Sequence, residues 1–200
     1  MVSHTRRHRK TPSCPNNRLE QGDMTHFIIL PGSGGSGPEH WQSRWESANR
    51  AMQRFQPSSW DLPDFTDWLA ALEAAVGAAP GPPVLVAHSL SCLLVAHWQK
   101  ISLRPVKAAL LVGVPDPASA VFPGHGMAFA RIPAGRLRFP SLVVASTDDP
   151  YGSQEYARAR AKQWGSRIVV IGPFGHINAD SGLGDWPEGL ELLDSLMSEA

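Results

Sequence analysis

This 200-residue chain has very little that would serve a disulfide framework, a membrane or a polyanion. Its only cysteines are Cys14 and Cys92, too few for a set of bridges, which fits a reducing, cytoplasmic setting. Its 18 basic and 18 acidic residues cancel, so no excess charge marks a surface for nucleic acid or a membrane. The longest apolar stretches fall well short of the ~20 residues that a bilayer span requires. No histidine or cysteine spacing has the pattern of a metal site, and neither a metal nor a cofactor is expected. What is abundant is glycine and proline, 18 of each, placed mostly between apolar segments, together with seven tryptophans. That is the composition of a folded domain with an aromatic-rich core.

Residues 1–23 differ from the rest. Arg6, Arg7, His8, Arg9 and Lys10 precede a polar stretch with almost no apolar residue, and no 7–15-residue apolar core follows the charges as in a secretory signal. This segment is expected to be a disordered tail, with a basic nucleic-acid arm as the rival reading. Met24 adjoins the first strand and is the expected translation start, which a native peptide from residues 2–20 would refute. Residues 24–200 are then one domain.

Apolar segments at 26–30, 83–88, 106–112, 141–146 and 167–171 read as strands buried on both faces, with a short strand near 54–56. Between them lie helical patterns over 38–52, then one carrying Phe65, Trp68, Leu69, Leu72 and Val76, then 90–101, 151–164 and 187–198. Pro38 and Pro187 suit first-turn positions, Asp64 or Thr66 can cap the second helix, and Asp185 can cap the last. Strands alternating with helices specify a three-layer α/β/α fold around a doubly wound parallel sheet. Six strands in the order 2-1-3-4-5-6 are expected, of the α/β-hydrolase kind and without a lid. Residues 113–139 read as a long irregular loop. In such sheets ligands bind beyond the carboxyl ends of the strands, where the winding reverses, here between the first and third strands.

Chemistry-bearing residues fall at those strand ends. Ala87-His88-Ser89-Leu90-Ser91 joins an apolar strand to an apolar helix, the setting of a nucleophile elbow with Ser89 on a sharp turn. A serine that merely caps a buried helix is the plainer alternative. Asp149 follows the fifth strand and His176 the sixth, giving the order serine, acid, histidine. In Ser146-Thr147-Asp148-Asp149-Pro150 the neighbouring Asp148 competes as the acid. His88, His97 and His125 compete with His176 as the base, while His26 and His40 read as structural or exposed. A serine hydroxyl needs a base to take its proton, and the base needs an acid to hold its tautomer. The oxyanion that forms needs donors. The Leu90 N–H is the first candidate, and Ser33 or Gly34 in the glycine-rich loop supplies the second.

That loop, Gly32 to Gly37, also reads literally as G-x-G-x-x-G. Pro38 places the helix start after the last glycine, Pro-Glu-His-Trp replaces small helix residues, and no acid closes the second strand. These features argue against a dinucleotide site, and a phosphate loop would need a Lys-Ser/Thr pair after Gly37.

From Met24 onward the chain resembles the small α/β serine hydrolases of the YdeN and retinoblastoma-binding-protein-nine type. The resemblance is carried by PGSGGSGPEHWQSRWE, LVAHSLSCLLVAHW, VASTDDPY and GPFGHINADSGLGDWPEG. It implies a lidless α/β-hydrolase fold, esterase-like or acyl-hydrolase activity, and Ser89, Asp149 and His176 as the matching triad. One departure is Ser91, where the family has glycine. No Leu-x-Cys-x-Glu peptide is present, so a retinoblastoma-pocket partner is not implied.

The expected function is hydrolysis of small esters or amides through an acyl-enzyme, with Trp60, Phe122, Met127 and Phe129 as candidate pocket walls. A catalytically weak binding module, suggested by Ser91, and an acyltransferase are the alternatives. The expected partner is a small-molecule substrate, with no nucleic acid or membrane, in a monomer or small homo-oligomer.

Overall fold

The structure, a computed structural model, describes residues 25–199, so the expectations for residues 1–23 and the Met24 start lie outside the described residues. Its strands are β1 (Phe27–Leu30), β2 (Met52–Arg54), β3 (Val84–His88), β4 (Ala108–Val112), β5 (Ser141–Ser146) and β6 (Arg167–Ile171). Its α-helices are α1 (Trp41–Ala48), α2 (Phe65–Ala78), α3 (Leu90–Ile101), α4 (Gln154–Trp164) and α5 (Pro187–Ser198). The strands form one parallel sheet in the order β2-β1-β3-β4-β5-β6, as the alternation of elements predicts. Among the described residues no helix is long and apolar enough to cross a membrane.

Each central strand splits its side chains between two apolar layers because successive residues point to opposite faces. Leu85, Ala87, Leu111 and Val143 pack with Trp68, Leu93, Trp98 and Trp164 of α2, α3 and α4. Val84, Val86, Leu110 and Val144 pack with Trp41 and Trp45 of α1, with Leu193 and Leu196 of α5, and with Trp186 just before it. Sheet edges are managed by length and polarity: β2 has three residues, and β6 is partly exposed along its length.

Several boundaries differ from the sequence reading, for local reasons. The helix expected from Pro38 begins at Trp41, because the His40 side chain rather than a residue before Pro38 caps it, and Asn49 ends it. The second strand lies at Met52–Arg54, before the predicted Arg54–Gln56. Asp64 does cap α2, accepting from the Asp67 N–H at 2.8 Å. Ser153 caps α4, so that helix starts three residues after Tyr151. Asp185 does not cap α5: its carboxylate pairs with Arg44, and Trp186 takes the cap position in the left-handed region. Residues 113–139 hold one short 3-10 helix, Gly124–Phe129.

Candidate active site

Ser89 stands between β3 and α3 with φ 55° and ψ −125°, a conformation that a non-glycine residue adopts only where surrounding structure holds it. Two backbone bonds hold it: the Ser89 N–H donates to the Val112 carbonyl and the Cys92 N–H to the Ser89 carbonyl, both at 2.9 Å. The side chain thereby stands above the sheet, and the Leu90 N–H opens the first turn of α3 with no acceptor among the described residues.

His176 reaches the same point from the loop after β6. Its Nε2 lies 2.7 Å from Ser89 Oγ, and its Nδ1 lies 2.9 and 3.0 Å from the two Asp149 carboxylate oxygens. A carboxylate beside Nδ1 holds the proton there, so Nε2 is the lone pair that can receive the Ser89 proton. The Asp149 side chain is 2% exposed, and its Oδ1 also accepts from the Tyr151 N–H at 2.9 Å. The Tyr151 ring packs against the imidazole with centroids 4.3 Å apart.

The other aspartate has a different place. Asp148 Oδ1 accepts from Ser146 Oγ at 2.7 Å and from the Gly175 N–H at 2.8 Å, and those bonds hold its carboxyl below the usual carboxylate range. It ties down the loop that carries the histidine and does not meet the imidazole.

Two further anchors fix that loop. Trp41 Nε1 donates to the Ile177 carbonyl at 2.8 Å, and Ile177 is held at φ 52°. His88 Nε2 donates to the His176 carbonyl at 2.9 Å. Its burial, and then the neighbouring His176 and His40, lower the His88 pKa well below the usual histidine value, so this ring is neutral. His88 is a prop for the base. His97 donates to or accepts nothing at the site; its Nε2 lies 3.0 Å from the Phe129 carbonyl, and its ring packs on Phe65.

The glycine-rich loop closes on the other side. A Cβ on Gly32 would meet Ser89 Cβ at 2.8 Å, so glycine is what lets the loop lie against the nucleophile. The Gly34 N–H donates to the Trp60 carbonyl at 2.9 Å, which takes it out of contention as an oxyanion donor. Ser33 keeps a backbone N–H with no acceptor among the described residues, and its Oγ lies 2.9 Å from His125 Nε2. Arg54 clasps the loop from below through the Gly35 and Ser36 carbonyls, while Ser43 Oγ and Glu46 hold the guanidinium. Ser91 is fully buried, and its Oγ turns to the loop, donating to the Pro31 carbonyl at 2.5 Å.

A cleft of about 400 Å³ opens above Ser89 and His176. Of the four wall residues expected from the sequence, Phe122 lines it. Phe129 is buried among Phe65 and Trp68, Trp60 packs beneath Gly35, and Met127 is exposed outside the cleft. The remaining wall is Val121, Pro123 and Pro115 on one side, and Ser36, His40 and Asn178 among its polar residues. Tyr151 escaped the sequence reading as a site residue, and His40, read as structural or exposed, both caps α1 and lines the cleft.

The model of a family described as serine hydrolase matches residues 27–195. A protein named a YdeN-like hydrolase, from Pectobacterium atrosepticum, shares 31% identity and superposes with a TM-score of 0.78, covering 87% of this chain and 91% of its own. The ydeN gene product of Bacillus subtilis shares 20% identity at a TM-score of 0.73, covering 87% of this chain and 99% of its own. Mouse alpha/beta hydrolase domain-containing protein 10 shares 14% at 0.66, covering 90% and 92%. The last two are likenesses of fold. No curated protein matches the chain.

Proposed function

This chain belongs to the serine hydrolase family, and we propose that it cleaves small esters or amides through an acyl-enzyme on Ser89. The observation that carries this reading is the unbroken relay from Ser89 Oγ to His176 Nε2 at 2.7 Å and from Nδ1 to Asp149 at 2.9 Å. His176 takes the hydroxyl proton as Oγ bonds to the substrate carbonyl carbon. The carbonyl oxygen, now an anion, is received by the Leu90 and Ser33 N–H groups, each worth roughly 3–4 kcal/mol in such a hole. Collapse of this intermediate breaks the bond to the leaving group, which departs with the proton from Nε2. Water then enters, gives a proton to His176 and bonds to the acyl carbon; a second collapse releases the acid and restores Ser89. Asp149 stays ionised throughout and stabilises the imidazolium.

A cleft of about 400 Å³ suits a small acyl group, at the lower end of ligand pockets. The binding-module alternative rested on crowding by Ser91; the bond of that hydroxyl to the Pro31 carbonyl supports the hydrolase reading over it. A fluorophosphonate probe should label the protein and fail to label Ser89→Ala. Labelling that persists in the variant would overturn Ser89 as the nucleophile.

A further inference from the structure

His40 is the one imidazole lining the cleft whose chemistry is unused by the relay, by its prop or by the loop contacts. It caps α1, and the Gln42 backbone N–H donates to its Nδ1 at 3.2 Å. A ring nitrogen that accepts carries no proton, so the hydrogen of the neutral ring is on Nε2. Burial, then the charges of Arg54 and His176, push its pKa down to about 4, which keeps the ring neutral at pH 7. Nε2 is buried and has no partner among the described residues, and His40 as a whole is 4% exposed. Leaving such a donor unpaired is costly, and native proteins seldom keep one without a use.

No neighbour satisfies it. The His88 ring lies 4.8 Å away edge-on and donates its Nε2–H to the His176 carbonyl, its unprotonated Nδ1 makes no bond to His40 Nε2, and the Trp41 ring, 5.2 Å away, has no acceptor to offer. Since Nδ1 serves the helix, Nε2–H is the only polar atom that His40 can offer to whatever the cleft holds. The His40, His88 and His176 rings follow one another at 4.8 and 4.9 Å, which puts this donor two rings from the base.

We infer that His40 determines specificity, donating from Nε2 to an oxygen acceptor on the substrate, so that preferred esters or amides carry such an oxygen a few bonds from the scissile carbonyl. The inference rests on the proposed hydrolase reading. A neutral donor in a dry wall rejects an alkyl analogue chiefly because that analogue leaves the donor unpaired.

The test compares kcat/KM for matched substrates. One series is 4-nitrophenyl esters of straight-chain acids, each against a counterpart with a keto oxygen at one chain position and a counterpart ending in carboxylate. The second varies the alcohol of acetate esters in the same way. Wild type should favour one oxygen-bearing member over its alkyl match by about tenfold or more, and the keto and carboxylate arms tell a neutral acceptor from an anion. His40→Asn keeps an oxygen for the Gln42 N–H and cannot reach the Nε2 position, so the ratio should fall towards one. His40→Gln places an amide N–H near that position and should restore part of the preference, with folding followed by thermal melts. A mere structural role would lower both members alike and leave the ratio unmoved. Absence of any preference in both series, or a preference that survives His40→Asn, overturns the assignment. If fluorophosphonate labelling and turnover persist without the preference, His40 alone is misassigned; if both are absent, the hydrolase reading has failed and this one with it.

Discussion

Gly32→Ala tests how closely the glycine-rich loop lies against the nucleophile. The added Cβ would sit 2.8 Å from Ser89 Cβ and 3.3 Å from both the His88 carbonyl oxygen and Ser89 Oγ. Carbon atoms pack best at about 3.5–4.0 Å, so the overlap is roughly 1 Å. Neither the elbow Cβ nor a strand carbonyl can swing aside, so the loop must move, and the Ser33 N–H moves with it. A misplacement of about 1 Å costs on the order of 10² in rate, and full loss of one oxyanion donor about 10² to 10³ in kcat. The expected result is a kcat lower by about two to three orders of magnitude with KM little changed, because the lost contact is made in the transition state. Overpacking should also lower stability by about 1–3 kcal/mol. Steady-state hydrolysis of 4-nitrophenyl butanoate, with a circular dichroism melt, reads both. Gly81→Ala, whose Cβ would meet nothing within 4 Å in the loop before β3, is the control and should match wild type. A folded Gly32→Ala with wild-type kcat would refute the role given to the Ser33 amide.

The two aspartates should separate by assay. Asp149→Asn loses the carboxylate that holds the Nδ1 proton and should cost roughly 10⁴ in kcat. Asp148→Asn, which disturbs the bonds to Ser146 and Gly175, should mainly lower the melting temperature; the opposite ranking would reverse the assignment. Ser91→Ala removes the donor to the Pro31 carbonyl inside the protein and should cost about 1–3 kcal/mol in urea unfolding, so an unchanged midpoint counts against that bond. Acid should destabilise the fold through its buried histidines. With the His40 pKa depressed from 6.5 to about 4, the unfolded chain binds protons that the native state refuses, so stability falls as pH drops through that window. The His40 share reaches about 3 kcal/mol near pH 4, and His88 acts in the same direction. Urea midpoints between pH 7.5 and 4.5 should therefore slope less steeply in His40→Asn, and parallel slopes would dismiss this source.

The parts of this protein that were legible in its sequence are those governed by local pattern. Apolar strands at regular intervals fix a parallel sheet, right-handed crossovers fix its order, and strand ends collect Ser89, Asp149 and His176 at one rim. What local pattern cannot supply is the path of a loop whose conformation is set by distant packing. Phe129 was expected at the cleft and instead meets Phe65 and Trp68 in the core, because a 3-10 turn carries it inward. Gly34 looked as able a donor as Ser33, yet its N–H is engaged by a carbonyl 26 positions on, at Trp60. His40 read as structural or exposed; it is buried because its Nδ1, not a serine or aspartate oxygen, caps α1.

Ser91 shows how a departure from a small-residue pattern can be absorbed without loss of the turn. A side chain at that position, first turn of α3, either fills the elbow or finds an exit. Here the exit is the Pro31 carbonyl at the end of β1, so the hydroxyl joins the helix that carries Leu90 to the strand end that leads into Gly32 and Ser33. Both proposed oxyanion donors are then referenced to the same hydrogen bond, in a region where Arg54 independently grips the Gly35 and Ser36 carbonyls. If that coupling matters to the chemistry, Ser91→Ala should lower kcat more than it raises KM, and Ser91→Gly should do the same although glycine suits the turn itself. A variant with glycine at position 91 that hydrolyses esters faster than wild type would show that the hydroxyl hinders the elbow after all.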